Sequence, residues 1–121
     1  LANRFAHYLN VISEGKVTSE FPQGDKLNMQ VYSCDSLLDY GKLSEGTKET
    51  VSFAFRLAVL DQLFPEGGGV IVFDDPFTDM DEDRTARSCA LLKACAQRHQ
   101  VIFLTCREEY LTMLEGNRIR F

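Results

Sequence analysis

The sequence predicts an α/β fold with a parallel sheet, and three observations point that way. Two uninterrupted apolar runs, Val70-Ile71-Val72-Phe73 and Val101-Ile102-Phe103-Leu104, have the length and residue types of buried strands. Helical patterns flank them, one from about Thr47 to Leu63 and one from Asp81 to His99. Strand, helix, strand and helix follow one another at the spacing of crossover units, which puts the strands side by side and parallel.

The elements follow in chain order. Leu1 to Ser13 carries Phe5, Leu9 and Ile12 at helical spacing and stops at Gly15. Lys16 to Phe21 and Lys26 to Tyr32 read as a β-hairpin around the turn residues Pro22, Gln23, Gly24 and Asp25. In its second strand Leu27, Met29 and Val31 alternate with Asn28, Gln30 and Tyr32, as in a strand with one face buried. Ser36 to Lys42 reads as a loop or short turn. The helix from about Thr47 is apolar nearly all round, with only Glu49, Ser52 and Arg56 as a polar stripe. Such a helix needs more than one neighbour, and part of its cover is expected to lie outside this short chain. Pro65 to Gly69 breaks it, and Gly67-Gly68-Gly69 reads as a linker into the first apolar run. That run and its neighbour are expected to be covered on both faces. Asp81, Glu82 and Asp83 suit the positive end of the following helix dipole. Glu108 to Leu114 is a short helix, Gly116-Asn117 a turn, and Arg118 to Phe121 a last strand.

Bulk properties exclude several classes. The 121 residues are 45% hydrophobic and 26% charged, the composition of one globular domain. No apolar run is long enough to cross a membrane, and Asn3, Arg4 and His7 interrupt Leu1 to Ile12, so no secretory signal is read there. The first residue is Leu1 and not Met, consistent with a piece of a longer protein. A net charge of -5 is ordinary for solubility and argues against duplex DNA binding by this surface alone. Cys34, Cys89, Cys95 and Cys106 show no Cys-x-x-Cys spacing. Cys89 and Cys95 read as small packed apolar groups in a reduced, cytoplasmic protein.

Three features carry chemistry. The first apolar strand ends in Asp74 and Asp75, and ligands of open parallel sheets bind beyond the carboxyl ends of strands. One carboxylate there suits Mg²⁺, which takes one or two carboxylates and keeps water and phosphate for the rest. A second suits the orientation of an attacking water. The same pair also fits an acidic loop at a strand end. Leu43-Ser44-Glu45-Gly46-Thr47-Lys48 opens a helix: Ser44 is an N-cap, Gly46 admits close approach to the backbone, and Lys48 adds positive charge. An ordinary cap explains this stretch equally well in isolation. Thr105-Cys106-Arg107 follows the second apolar strand, at the same sheet edge as Asp74.

In order and spacing these features, with the acidic turn Thr78-Asp79-Met80-Asp81, resemble the ABC ATPase heads of SMC proteins, SbcC-like nuclease partners and RecN. Leu43 to Lys48 is similar to the signature motif, Val70 to Asp75 to Walker B, Thr78 to Asp81 to the D-loop, and Thr105-Cys106 falls where that family has its switch histidine. Ser44 to Glu49, Asp74 to Phe77 and Thr105-Cys106 are most similar to YhaN-like large coiled-coil members. The resemblance covers Leu43 to Glu109.

It implies the C-terminal lobe of a P-loop NTPase (ABC ATPase) head: residues 43–121 as the lobe, residues 1–42 as a helix and hairpin leading from a coiled-coil return. It implies ATP and Mg²⁺, a homodimer of heads, an N-terminal Walker A lobe of the same protein, a nuclease subunit, and DNA met through other parts of the parent protein, with no membrane. Ser44, Gly46, Thr47 and Lys48 would act in trans on a partner's ATP, Asp74 on the metal, Asp75 as catalytic carboxylate, Asp79 and Asp81 at the head interface, and Cys106 as switch. DNA repair or chromosome maintenance is the implied setting, on the nucleoid in a bacterium. Three residues depart from the pattern. Glu45 replaces a signature glycine, Asp75 is one methylene shorter than the usual Glu, and Cys106 donates a weaker hydrogen bond than His. No Gly-x-x-x-x-Gly-Lys-Ser/Thr occurs, so this chain alone is expected to be inactive. A degenerate head lobe acting as a scaffold is the alternative. A receiver-like phosphorylation domain lacks its acceptor Asp on a middle strand and its later Lys.

Overall fold

The computed structural model describes residues 1–20, 30–33 and 36–120. Helix α1 (Ala2–Ser13) turns through left-handed Glu14 and Gly15 into strand β1 (Val17–Glu20). Strands β2 (Gln30–Ser33) and β3 (Ser36–Asp39) complete an antiparallel sheet in the order β1-β2-β3, with Val17 opposite Ser33 and Val31 opposite Leu38. The expected hairpin is therefore a three-stranded sheet. Ser36-Leu37-Leu38-Asp39 has no alternation to announce a strand, and pairing with β2 decides it. Its continuation, Tyr40–Lys42, is a 3-10 turn. The turn expected at Pro22 to Asp25, the Leu27 and Met29 alternation, and Cys34 lie outside the described residues.

Helix α2 (Glu45–Leu63) packs α1 on one side and the parallel pair on the other. Phe5 meets Phe55 edge-on at 5.6 Å, and Phe53 meets Phe73 at 5.2 Å. Strands β4 (Val70–Asp74) and β5 (Gln100–Leu104) run parallel, with Val70 opposite Gln100 and Asp74 opposite Leu104. Between them runs α3 (Glu82–Cys95), and α4 (Glu109–Leu114) follows β5. The helix read to His99 ends at Cys95, with Asp81 as its N-cap. Residues 115–120 form neither the expected turn nor a strand; among the described residues no strand pairs with them, Glu115 closes α4 and bridges to Lys93 at 3.7 Å, and Phe121 lies outside.

The two apolar strands depart most from expectation. Ile71 and Phe73 are buried, whereas Val70 and Val72 are 56% and 45% exposed, and Ile102 and Leu104 are 39% and 40% exposed. Helices α2 and α4 cover one face, with the Tyr110 ring tilted against Phe103 at 5.0 Å. Among the described residues nothing covers the other. Residues that suit burial on both faces thus have one partner layer among the described residues. The Gly69 carbonyl and the Asp75 N–H bond to β5, so the alternate residues present their backbone groups to the opposite edge. There Arg56 donates to the Val72 carbonyl at 2.5 Å while lying 4.4 Å over the Phe73 ring.

A buried polar network joins α1 to the sheet's lower end. Asp61 accepts from the Tyr8 hydroxyl and from Arg98 at 3.1 Å, with Arg4 at 3.5 Å. Burial and the Asp61 carboxylate push the Tyr8 hydroxyl up to about 12. His99 Nδ1 accepts from the Gly69 N–H at 3.0 Å, so the ring proton sits on Nε2, 3.5 Å from Asp61. The glycine run is therefore packed rather than a free linker. Gly67 and Gly68 hold φ of 89° and 87°, and a Cβ at Gly69 would meet Leu60 and Phe64 at 2.7 Å.

Candidate functional site at the strand ends

The tip of α2 is built from Leu43 to Lys48. Ser44 is extended, and its Oγ accepts the Thr47 N–H at 3.2 Å while donating to Thr47 Oγ1 at 2.9 Å. This is the expected N-cap, and a helix of 19 residues brings a full dipole to it. Glu45 is exposed and paired with Lys48 at 3.2 Å, so its charge is offset one turn away. Arg84, from the first turn of α3, reaches Thr47 Oγ1 at 3.4 Å. The reason for glycine at 46 is visible: a Cβ there would stand 2.5 Å from the Asp79 carbonyl oxygen. What comes close to that backbone within the chain is the acidic turn itself.

The turn from Asp75 to Asp81 is pinned from below by Phe77, which is fully buried and packs on Phe53 at 4.9 Å and Phe103 at 5.9 Å. From α2, Glu49 takes the Thr78 N–H at 3.1 Å and the Asp79 N–H at 2.7 Å. Burial raises the Glu49 carboxyl above its ordinary value despite those bonds. Asp81 accepts the Arg84 N–H at 2.8 Å as the cap of α3.

The two strand-end acids behave differently. Asp74 lies exposed on the open face beside Leu104 and takes no hydrogen bond from the described residues. Asp75 sits at φ 39°, a conformation rare outside glycine, and its N–H closes onto the Leu104 carbonyl at 2.8 Å. Its carboxylate accepts from the Thr105 hydroxyl, and at 3.5 Å from both the Cys106 N–H and its thiol. The Thr105 hydroxyl holds the Asp75 carboxyl below its usual range. Asp75 is thus an ionised acceptor fixed by the end of β5.

The structure therefore brings together Gly46 with Asp79, and Asp75 with Cys106; Thr47 and Asp81 are joined through Arg84. Asp74 is left facing outward. Among the described residues no group of three acidic, His or Cys side chains could hold a metal. Asp74 fits a Mg²⁺ that takes one carboxylate and draws its other ligands from water and phosphate. Sequence reading missed Glu49 and Arg84 as members of this edge. The signal for Glu49 was its place one turn after Gly46 and one before Phe53, on the face of α2 that turns inward.

No protein-family model matches the chain, and the search of curated proteins finds no match. Solved structures do match. One, described for ATP-driven dimerisation and DNA-stimulated activation of SMC ATPases, superposes with a TM-score of 0.77 at 17% identity, covering 98% of this chain and 76% of that one. The Smc head domain of Pyrococcus furiosus, with an extended coiled coil and bound to the C-terminal domain of ScpA, gives 0.76 at 17% identity over 93% of this chain and 29% of its own. The SMC head domain of Thermotoga maritima gives 0.65 at 18%, over 93% of this chain and 39% of its own. At such identities the likeness is one of fold: this chain has the α/β fold of a part of an SMC head domain, and it spans well under half of the last two structures.

Proposed function

We propose that this chain is the C-terminal lobe of an ATP-binding, SMC-like head that closes on ATP with a second head. Residues 43–121 form the lobe, and residues 1–42 lead into it from a coiled coil. The observation that carries this reading is the seating of Gly46 under the Asp79 carbonyl, which joins a capped, anion-ready helix tip to the turn after the strand-end acids. In this reading Ser44, Gly46, Thr47 and Lys48 meet the nucleotide of the partner head, Asp79 and Asp81 lie at the junction, and Asp74 faces the metal. Mg²⁺, when bound, would neutralise phosphate charge; Asp75 would accept a hydrogen bond from water, and Cys106 stands beside it. The face of Val70, Val72, Ile102 and Leu104, uncovered among the described residues, and the edges of the parallel pair, which no described strand joins, suit a Walker A lobe of the same protein. The nearest readings by motif are the YhaN-like, SbcC-like and RecN heads, cytoplasmic and at work in DNA repair or chromosome maintenance. DNA is met elsewhere in the protein. A further subunit, a nuclease or a protein that docks as ScpA does on the Smc head of Pyrococcus furiosus, completes the assembly.

Hydrolysis should be slow. Asp75 is short and already engaged by Thr105, and a displacement of about 1 Å at a reacting group can cost about a hundredfold in rate. That engagement also favours a second reading, a lobe that binds partners without turnover. Asp75→Asn in the protein carrying both lobes separates the two. On the first reading ATP turnover stalls and ATP-bound head dimers live longer; unchanged turnover and dimer lifetime favour the scaffold. A strong metal-dependent ATPase rate from this chain alone would overturn the need for a Walker A lobe.

A further inference from the structure

The α2 tip and the strand-end carboxylate are physically joined inside one chain, and we propose that Glu49 is the joint: a positioning residue through which the state of the tip sets the placement of Asp75. The part of this that concerns a partner's nucleotide rests on the two-headed reading above. The linkage itself rests only on the geometry of this chain.

Each step is a direct contact. Glu49 uses both carboxylate oxygens, one on the Thr78 N–H and one on the Asp79 N–H, so it grips two successive peptide units. Bonds to a charged acceptor are the stronger kind. One turn earlier on α2, Gly46 lies so close to the Asp79 carbonyl that no side chain fits between them. The grip and the close contact act on the same turn from the same helix face, so a shift of the α2 tip must carry the turn with it. From the turn, the Thr78 hydroxyl donates to the Asp75 carbonyl at 2.9 Å. Asp75 in turn meets Thr105 and Cys106 through its carboxylate.

Asp75 is a sensitive receiver. Its φ of 39° is disfavoured for a residue with a Cβ and persists only while neighbours enforce it. The Thr78 bond to its carbonyl and the Leu104 bond to its N–H are the two backbone restraints. Loosening the first lets the peptide relax and swings the carboxylate away from Thr105. The burial that raises the Glu49 carboxyl above its ordinary value is the cost of placing the group where it can grip. A partner's phosphate that orders Ser44 and Thr47 would thereby stiffen the path and fix Asp75 in its own head.

Two measurements test this. In this chain, backbone amide shifts by NMR are compared for wild type, Glu49→Ala, Glu49→Gln and Thr78→Val. The expected result is that Glu49→Ala moves Asp75, Thr105 and Cys106 as well as Thr78 and Asp79. Glu49→Gln, which keeps one acceptor oxygen, should restore part of the pattern. Thr78→Val should reproduce the Asp75, Thr105 and Cys106 changes without touching the carboxylate, and keeps the experiment decisive if Glu49→Ala does not fold. Changes confined to Thr78 and Asp79 overturn the proposal. In the protein carrying both lobes, Glu49→Ala should lower kcat by about tenfold or more and leave the KM for ATP within about twofold, since positioning and not binding is lost. Equal loss in KM with kcat unchanged also overturns it. A wild-type protein that never turns over ATP favours the scaffold reading over the hydrolysing one, and the amide shifts then still decide the linkage.

Discussion

Asp75 and Glu49 are carboxylates a few residues' reach apart whose environments push them in opposite directions. The Thr105 hydroxyl favours ionised Asp75, so its folded value lies below the ordinary 3.8. Its contribution to stability is present above that value and is lost as pH falls through the lower folded one. Burial disfavours ionised Glu49, so its folded value lies above 4.5. Its contribution is therefore present below 4.5 and lost as pH rises through the folded value. A titration of side-chain carboxyl carbons by NMR should show the two midpoints on opposite sides of their usual positions. Thr105→Val should move only the Asp75 midpoint clearly, upward. The acids at 74 and 75 were legible in the sequence because they end an apolar strand. That Asp75 is held and Asp74 left exposed was not, because it depends on a hydroxyl thirty residues away.

Helix α2 shows what an element can conceal. Its cap was legible from Ser44 and the glycine two residues on, and its excess of apolar surface correctly signalled more than one neighbour. That Gly46 answers to the Asp79 backbone was not legible, since the contact is tertiary. Gly46→Ala should destabilise the chain by roughly 1–3 kcal/mol in denaturant unfolding, as overpacking against backbone does, although alanine is the better helix former. Gly41→Ala, where an added Cβ meets nothing within 4 Å, should leave the midpoint nearly unchanged. Equal effects at the two positions would remove the packing explanation. Strand β3 was missed for a related reason: Ser36 to Asp39 has weak strand character of its own and is fixed by its partner β2.

At the scale of the whole molecule, a polar network and a face left bare among the described residues set the behaviour. Tyr8 from α1, Asp61 from α2 and His99 before β5 meet in the interior, and Arg98 reaches Asp61 from the surface. Tyr8→Phe leaves the buried Asp61 short of a donor and should cost about 1–3 kcal/mol in unfolding free energy. The bare face makes the opposite prediction. Val72→Lys and Ile102→Lys, at positions already exposed, should change the Tm by no more than about 2 °C, since substitutions at the surface seldom exceed half a kcal/mol. The same changes should reduce binding of a hydrophobic dye. A large loss of stability from either would show that the face is covered within this chain.

Periodicity, strand-end acids and helix-opening residues depend on neighbours within a few positions, and these were enough to establish the α/β order, the capped tip of α2 and the acids at 74 and 75. Burial is different, because it is a property of what lies across a surface. The apolar residues Val70, Val72, Ile102 and Leu104 state that the sheet suits cover on both faces, yet only the assembled fold shows that the described residues provide one. The grip of Glu49, the seat of Gly46 and the restraint on Asp75 likewise arise from groups brought together over some thirty residues of chain, a distance at which local preference carries no information and packing alone decides.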